Sequence, residues 1–144
     1  MRILPSALVL LIAAAFSVPG PRGAAQTAVA NVAECGPRGS SYMRTTLYFG
    51  LNRKTGSVSE GQWRNFLREH VTPRFPQGLT VWEANGQWRR ADGVIVREPA
   101  KVLLLVHDES TEVKAAIGGI IEDYKKSFEQ ESVLWETARV CAAF

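Results

Sequence analysis

Polar and hydrophobic side chains alternate along residues 42–51, which is the pattern of a β-strand that buries one of its faces. One face carries Met43, Thr45, Leu47, Phe49 and Leu51, and the other carries Tyr42, Arg44, Thr46, Tyr48 and Gly50. The first set is mostly apolar and is expected to cover the core. The second set mixes aromatic, hydroxyl and guanidinium groups, which suits a surface that meets solvent or a ligand. We therefore predict a central strand here.

Two stretches follow the helical period instead. The first begins at a capping box at Ser59 and ends where Pro73 disfavours helical geometry in the residue before it. The second begins near a cap at Ser110 and carries an apolar stripe from Val113 to Phe128. Both stripes are wide enough to cover one face of a sheet, so we predict two helices that pack on the core.

The segment between the helices is predicted to hold a hairpin and a buried strand. Asn85-Gly86 is a strong hairpin signal, because a type I′ turn needs two residues that tolerate positive φ. Residues 79–84 and 87–90 are therefore expected to pair with each other across this turn. Residues 101–107 are nearly all apolar, which predicts a strand that is buried on both faces.

The order of these elements indicates the fold class. A last strand over residues 133–141 completes the order strand, helix, strand with an extra hairpin, strand, helix, strand. This is the split βαβ, ferredoxin-like pattern. We predict an α+β fold with an antiparallel sheet, two helices on one face and an extra β-hairpin. The expected strand order, 4-1-3-2, places the first and last strands side by side.

The first residues have the pattern of a secretory signal peptide. Arg2 precedes an apolar run over residues 3–16, and small residues follow it. The run is shorter than the roughly 20 residues that span a bilayer, so we favour a signal peptide over the alternative, an uncleaved membrane anchor. Residues 1–30 are predicted to be removed, with cleavage after Ala25 or Ala30.

The remaining chain, residues 31–144, is expected to be a single exported domain, periplasmic or extracellular, with no stable membrane insertion. About 115 residues are enough for one hydrophobic core. Cleavage removes Arg2 and Arg22 and no acidic residue, so the formal net charge falls from +3 to +1. A chain this close to neutral lacks the basic surface of a nucleic-acid-binding protein, and we expect no nucleic-acid partner.

Cys35 and Cys141 are the two cysteines of the chain and lie near opposite ends of the mature domain. An even pair in an exported protein suggests a disulfide. The predicted topology agrees, because it places the start of the first strand beside the end of the last. A metal site or a catalytic thiol is the alternative. It lacks support, because no CxxC occurs and neither histidine is near a cysteine in sequence, so we predict no metal and no cofactor.

A cluster of arginine, aromatic and acidic residues is the best candidate site. Arg44 and Tyr48 share one face of the central strand, and Trp135 and Arg139 share one face of its predicted neighbour. Such groups bind carboxylate-bearing or planar ligands, although they also form purely structural ion pairs and stacks. The candidate ligand-binding residues are Arg44, Tyr48, Arg74, Trp88, Arg89, Glu98, His107, Trp135 and Arg139.

The chain resembles, in three segments, a family of small exported bacterial proteins catalogued as a domain of unknown function. The segments are LYFGL (Leu47–Leu51), PRFPQGLTVWEANGQWR (Pro73–Arg89) and REPAKVLLL (Arg97–Leu105). The run RFPxGLTV…GQWR…REP is their most specific part, and the likeness extends from about Cys35 to the end. The resemblance implies an exported single domain and brings no catalytic residues.

Three functions are compatible with these patterns. The first is a binding module, because helices in a two-layer fold cover one sheet face and leave the other to meet a partner. A sheet-to-sheet homodimer would then enclose a small anionic or aromatic ligand. The second is a small enzyme on an organic acid-like substrate, with Arg44 orienting an anion and Tyr48 or His107 transferring a proton. The third is a structural periplasmic protein without a small-molecule site.

Overall fold

The computed structural model of the protein describes residues 35–144. Its elements are β1 (Ser40–Gly50), β2 (Asn52–Arg53), β3 (Gly56–Ser57), α1 (Glu60–Phe66), a π-helical turn (Leu67–Val71), β4 (Thr80–Arg89), β5 (Ile95–His107), α2 (Thr111–Phe128) and β6 (Leu134–Ala142). The predicted signal peptide and its cleavage sites lie outside the described residues. None of the helices within residues 35–144 is long and apolar enough to cross a membrane.

Four of the strands form one antiparallel sheet in the order β4-β5-β1-β6. This is the predicted order 4-1-3-2 and confirms the predicted α+β fold class. Leu47 of β1 lies opposite Leu103 of β5 on one side and Trp135 of β6 on the other. Val102, Leu103 and their neighbours in β5 are buried because this strand has β1 on one side and β4 on the other.

The helices both cover the sheet face that carries Leu47 and Leu103, which we call the helix-side face. One continuous core joins the sheet residues Leu47, Phe49, Leu103 and Leu105 to Trp63, Phe66, Ile117, Ile120, Tyr124 and Phe128 of the helices. The Phe49 ring lies at its centre, with centroid distances of 5.2 Å to Trp63 and 4.6 Å to Tyr124. Aromatic pairs at these distances add about 0.5–1.5 kcal/mol each to the energy of burial.

The predicted hairpin at Asn85-Gly86 is wrong. β4 continues without a turn from Thr80 to Arg89, and Asn85 and Gly86 pair with Pro99 and Glu98 of β5. The chain reverses after Arg89 instead, where Gly93 has φ +85° and the Arg90 amide donates to the Val94 carbonyl at 2.9 Å. Pairing with the whole of β5 satisfies more backbone groups than an early turn would. The extra hairpin of the fold is the short β2–β3 ribbon.

β5 passes through Pro99 without leaving a neighbouring carbonyl unpaired. The Pro99 carbonyl accepts the Leu51 amide at 3.0 Å just after β1 ends, and the Leu51 carbonyl accepts the Val58 amide at 2.8 Å. The carbonyl that would have paired with a Pro99 N–H is thus satisfied elsewhere. A proline is tolerated in a central strand at such a position because a neighbouring strand has left the ladder.

The first helix begins as predicted and ends differently. Ser59 Oγ accepts the Gln62 amide at 3.3 Å, and Gln62 Oε1 accepts the Ser59 amide at 2.9 Å, which completes the capping box. The last turn widens into a π-helix, in which the Thr72 amide donates to the Leu67 carbonyl at 2.8 Å. Pro73 follows and has no amide hydrogen, so the regular α-helical bond pattern cannot continue past this point.

The predicted disulfide joins Cys35 to Cys141, with their Cα atoms 5.4 Å apart. Cys141 lies opposite Ser41 where β1 and β6 pair, so the bond ties the arm before β1 to the end of β6. The two cysteines are separated by 106 positions in sequence. The topology and the disulfide therefore agree, as the sequence indicated.

Candidate functional site

The sheet face opposite the helices is the candidate site, and we call it the open sheet face. The register places one row of side chains across all four strands on this face: Trp82, Val102, Tyr48 and Leu134. The next row toward the β4–β5 turn consists of the small residues Ala84, Ala100 and Gly50. Trp88 and Glu98 lie beyond that row. These nine residues form the central part of the open sheet face.

Much of this face is apolar and accessible. The side chains of Trp82 and Trp88 are each 43% exposed and Leu134 is 62% exposed, whereas Val102 and Ala100 between them are buried. Large exposed apolar groups around a buried apolar strip are typical of an interaction surface, because monomeric proteins rarely expose large contiguous apolar patches. The small residues make a trough that is bordered by Trp82 at one end.

Glu98 closes the other end of the trough. Its Oε1 accepts the Trp88 Nε1 hydrogen at 2.9 Å and its Oε2 accepts the Asn52 amide at 3.2 Å. The carboxylate lies directly over Gly50, where an added Cβ would be 2.7 Å from Oε2. A glycine is therefore required there for the carboxylate to keep both hydrogen bonds.

Tyr124 connects this end of the face to the core. Its hydroxyl donates to the Gly50 carbonyl at 2.8 Å, through the sheet from the helix side. Burial raises the pKa of Tyr124 far above its ordinary value, and the nearby charge of Glu98 raises it further. The hydroxyl therefore stays protonated and acts as a donor rather than as an acid.

Arg44 and Tyr48 lie on the open sheet side of β1, as expected. Arg44 is exposed and is four residues from Tyr48, opposite Val106. Partial burial raises the pKa of Tyr48, Glu136 raises it further by its charge and a hydrogen bond, and Arg44 acts in the opposite direction. A raised pKa makes Tyr48 a poor general base at neutral pH.

The structure does not bring Trp135 and Arg139 to Arg44 and Tyr48. Trp135 lies opposite Leu47 and Arg139 opposite Met43, so both belong to the helix-side face. Arg139 forms an ion pair with Glu109 there. Trp135 and Arg139 do share a face of β6. Odd-numbered residues of β6 pair with odd-numbered residues of β1, so this is the helix-side face and not the face that carries Arg44 and Tyr48.

His107, Arg74 and Arg89 also lie away from the open sheet face. His107 accepts the Thr45 hydroxyl at Nε2, at 2.9 Å, and its Nδ1 donates to the Asp108 carbonyl at 2.8 Å. Both ring nitrogens are thus occupied, which disfavours the predicted role as a base. Arg74 Nη1 donates to Asp123 at 2.8 Å, and Arg89 lies at the end of β4 opposite Ile95.

The sequence interpretation missed Trp82 and the small residues beside it. The signal was present, because Trp82, Ala84, Gly86 and Trp88 fall at even positions of one strand, but the assumed turn at Asn85-Gly86 interrupted it. Within residues 35–144, no three His, Cys, Asp or Glu side chains are grouped in a way that could hold a metal ion.

Comparison with solved structures supports the fold. The chain is similar to a phage SAM lyase in complex with S-methyl-5′-thioadenosine, with a TM-score of 0.56 and 13% identity over 72% of this chain and 90% of that one. The apo state of a phage SAM lyase matches with a TM-score of 0.53 and 14% identity over the same shares. At these identities the likeness extends to the fold alone. No curated protein matches the sequence.

A comparison with protein families identifies the relationship suggested by the sequence motifs. The model of the family described as "Protein of unknown function (DUF3574)" matches residues 44–144. The matched region contains β1 from Arg44 onward and every element that follows it. The chain therefore belongs to the DUF3574 family.

Proposed function

We propose that the protein is an exported binding module that uses the open sheet face to associate with a second copy of itself. The observation that carries this proposal is the row Trp82, Val102, Tyr48 and Leu134, which presents two exposed apolar side chains around a buried centre. Removing apolar surface from water contributes about 25 cal/mol per Å² before the costs of association are subtracted.

Export is part of this proposal. The disulfide between Cys35 and Cys141 is of the kind that persists in oxidising compartments. The N-terminal sequence has the order of charge, apolar run and small residues that secretion requires. Both features support a periplasmic or extracellular location.

The trough suggests where a small ligand would lie. The trough of small residues in each copy would leave a flat space against the partner's sheet, bordered by Trp82 and Glu98. A planar molecule fits such a space, because aromatic walls favour stacking. S-methyl-5′-thioadenosine, which accompanies the phage enzyme, is a suitable planar probe. Binding should quench tryptophan fluorescence of the dimer; an unchanged spectrum at millimolar probe would contradict this part of the proposal.

The enzyme alternative has less support from the geometry. His107 lies on the helix-side face with both ring nitrogens bonded, and Tyr48 has a raised pKa. Tyr48 lies on the same face as Arg44 but stays protonated at neutral pH, and His107 lies on the other face. Neither residue can therefore accept a proton beside Arg44.

Light scattering coupled to gel filtration tests the dimer. We expect the wild-type protein to dimerise with a dissociation constant on the order of micromolar, because the face is near the lower size limit of specific interfaces. Trp82→Glu should produce a monomer, since it places a charge in the apolar row.

Trp135→Glu is the matched control. Trp135 is 39% exposed, close to the value for Trp82, but it lies on the helix-side face of the edge strand. Trp135→Glu should therefore leave the dimer intact. A wild-type protein that is monomeric at high micromolar concentration, or equal effects of both substitutions, would contradict the proposed function.

A further inference from the structure

We infer that the two copies pack with a two-fold axis running across the strands, so that Arg44 of each copy meets Glu98 of the other. This inference rests on the proposed function, because it specifies the arrangement of the dimer described there. The open sheet face carries opposite charges at its two ends, and they are placed symmetrically about its apolar centre.

The register fixes the positions of these charges. Tyr48 and Val102 face each other in the central row. Arg44 lies four residues from Tyr48 along β1, and Glu98 lies four residues from Val102 along β5, in the opposite direction. At about 3.3 Å per residue, each charge is about 13 Å from the central row. The two strands are neighbours, only about 4.8 Å apart.

Within residues 35–144 neither charge forms an ion pair, although Glu136, whose carboxylate bonds to Tyr48, lies on the same face one strand from Arg44. Among residues 35–144, Arg44 forms no ion pair or side-chain hydrogen bond, and it is exposed. The Glu98 carboxylate accepts hydrogen bonds from the neutral Trp88 indole and the Asn52 amide, and no basic side chain of the described part lies within 4 Å of it. These two bonds fix the carboxylate in place, which lowers the cost of ordering it on association.

The charges distinguish between the two symmetric ways to stack the sheets. An axis across the strands exchanges the two ends of the face, so each Arg44 lies over the partner's Gly50–Glu98 end and two equivalent ion pairs form. An axis along the strands keeps the ends together and places the two Arg44 side chains at the same end of the interface. Opposite charges across an interface fix the orientation of partners, and like charges facing each other oppose it.

The size of the face makes these pairs important. Four strands span about 19 Å, and the distance from Arg44 to Glu98 along the strands is about 26 Å. Two such faces cover on the order of 1,000 Å² in total, which is the lower limit for a specific interface. At that size, two charge pairs are expected to decide whether the dimer forms in one arrangement.

A charge-exchange experiment tests the inference. Arg44→Glu and Glu98→Arg each place like charges at both contacts, and each variant alone is expected to be monomeric. An equimolar mixture restores opposite charges at both contacts, because the first variant has carboxylates at positions 44 and 98 and the second has guanidinium groups at both. The mixture should therefore return to the dimer mass in light scattering, with at least a tenfold gain in affinity over either variant alone.

Arg89→Glu is the matched control for Arg44→Glu. It makes the same change of charge at an exposed position of the helix-side face and should leave the dimer unchanged. If Arg44→Glu behaves like Arg89→Glu, or if the folded variants do not restore the dimer on mixing, the inferred arrangement is wrong. The proposed dimer through the open sheet face is still supported in that case, provided that Trp82→Glu is monomeric.

A second measurement does not touch Glu98, whose replacement could disturb folding. A spin label attached at Arg139→Cys lies on the helix-side face, which points away from the partner, near the end of the sheet that carries Arg44. With the axis across the strands, the two labels of a dimer should be more than about 30 Å apart; with the axis along the strands, they should be about 20 Å apart. The shorter distance would overturn the inference, and a monomeric wild-type protein would overturn both the inference and the proposed function.

Discussion

Gly50 shows how one missing side chain organises the candidate site. The Glu98 carboxylate occupies the space that a Cβ would take, at 2.7 Å, and from there it accepts two hydrogen bonds. The Gly50 carbonyl accepts the Tyr124 hydroxyl on the other side. A single backbone position therefore links the open sheet face to the aromatic core, and its lack of a side chain matters more than its flexibility.

Gly50→Ala should lower the free energy of unfolding by about 1–2 kcal/mol. The carboxylate has a flexible stem and can move aside, so the expected cost is the loss of its hydrogen bonds to Trp88 and Asn52 rather than a fixed clash. Urea unfolding monitored by circular dichroism measures the change. Gly118→Ala is the control: nothing lies within 4 Å of its position in α2, so it should raise stability by up to about 1 kcal/mol.

A double-mutant cycle separates this explanation from general strain. In a Glu98→Ala background the carboxylate is absent, so adding Gly50→Ala should cost almost nothing. A cost for Gly50→Ala that is the same with and without Glu98 would contradict the proposed contact.

At the scale of the elements, the widened end of the first helix serves to join the helices. His70 Nδ1 and Arg74 Nη1 both donate to Asp123 Oδ2, at 2.9 Å and 2.8 Å. Arg74 also donates to the His70 carbonyl at 2.7 Å, and the His70 ring stacks on Phe66. The π-helical turn thus places His70 and Arg74 together against α2, and His70 is a packed, hydrogen-bonded histidine.

Acid should weaken this connection. The hydrogen bond from His70, helped by Arg74 and opposed by burial, holds the pKa of Asp123 below its ordinary value of 3.8. Because the folded-state pKa is the lower one, the carboxylate stabilises the fold above pH 3.8 and loses that contribution as the pH falls through the folded-state pKa. The free energy of unfolding should therefore decrease on acidification in this range.

Asp123→Asn should lower stability at pH 7 by about 1 kcal/mol and flatten the acid dependence. Chemical unfolding at a series of pH values between about 5 and 2 measures both effects. Glu131→Gln, at an exposed position after α2, is the control and should keep the wild-type slope. An unchanged slope in Asp123→Asn would show that other carboxylates account for the acid response.

The same scale shows where sequence patterns were sufficient and where they failed. The capping box at Ser59 was predicted and is present, because it depends on residues within one turn. The hairpin at Asn85-Gly86 was predicted and is absent, because a competing partner, β5, pairs with both halves of β4. The free energy of a local turn preference is small compared with that of pairing ten residues of strand. A short stretch of sequence around Asn85-Gly86 does not include the partner strand, so it cannot show this competition.

For the whole molecule, the disulfide closes the sheet at the β1–β6 end. A loop of 106 positions is worth up to about 4–5 kcal/mol in the chain-entropy model of disulfide stabilisation. We expect Cys35→Ser/Cys141→Ser to lose about 2–5 kcal/mol of unfolding free energy, and wild-type protein in reductant to behave like this variant. If reductant has no effect on the urea midpoint, the bond contributes no stability.

Export of the full chain gives a second whole-molecule test. Expressed with its own N-terminus in a bacterium, the protein should be recovered from the periplasm or medium with a mass that starts after Ala25 or Ala30. It should contain no free thiol. A protein recovered in the cytoplasm with its first residues intact would contradict the proposed export.

The sequence by itself determined the number and type of the main elements, their caps, the strand order and the pairing of the cysteines. The elements and their caps follow from period and local capping, which neighbouring residues carry, and the strand order and cysteine pairing follow from the order of the elements along the chain. Only the tertiary structure decided which face of β6 meets which face of β1, where β4 turns, and therefore that Trp82 and Glu98 share a surface while Trp135 and Arg139 do not. Register is set by contacts between distant segments, and a shift of one residue moves a whole strand's side chains to the opposite face.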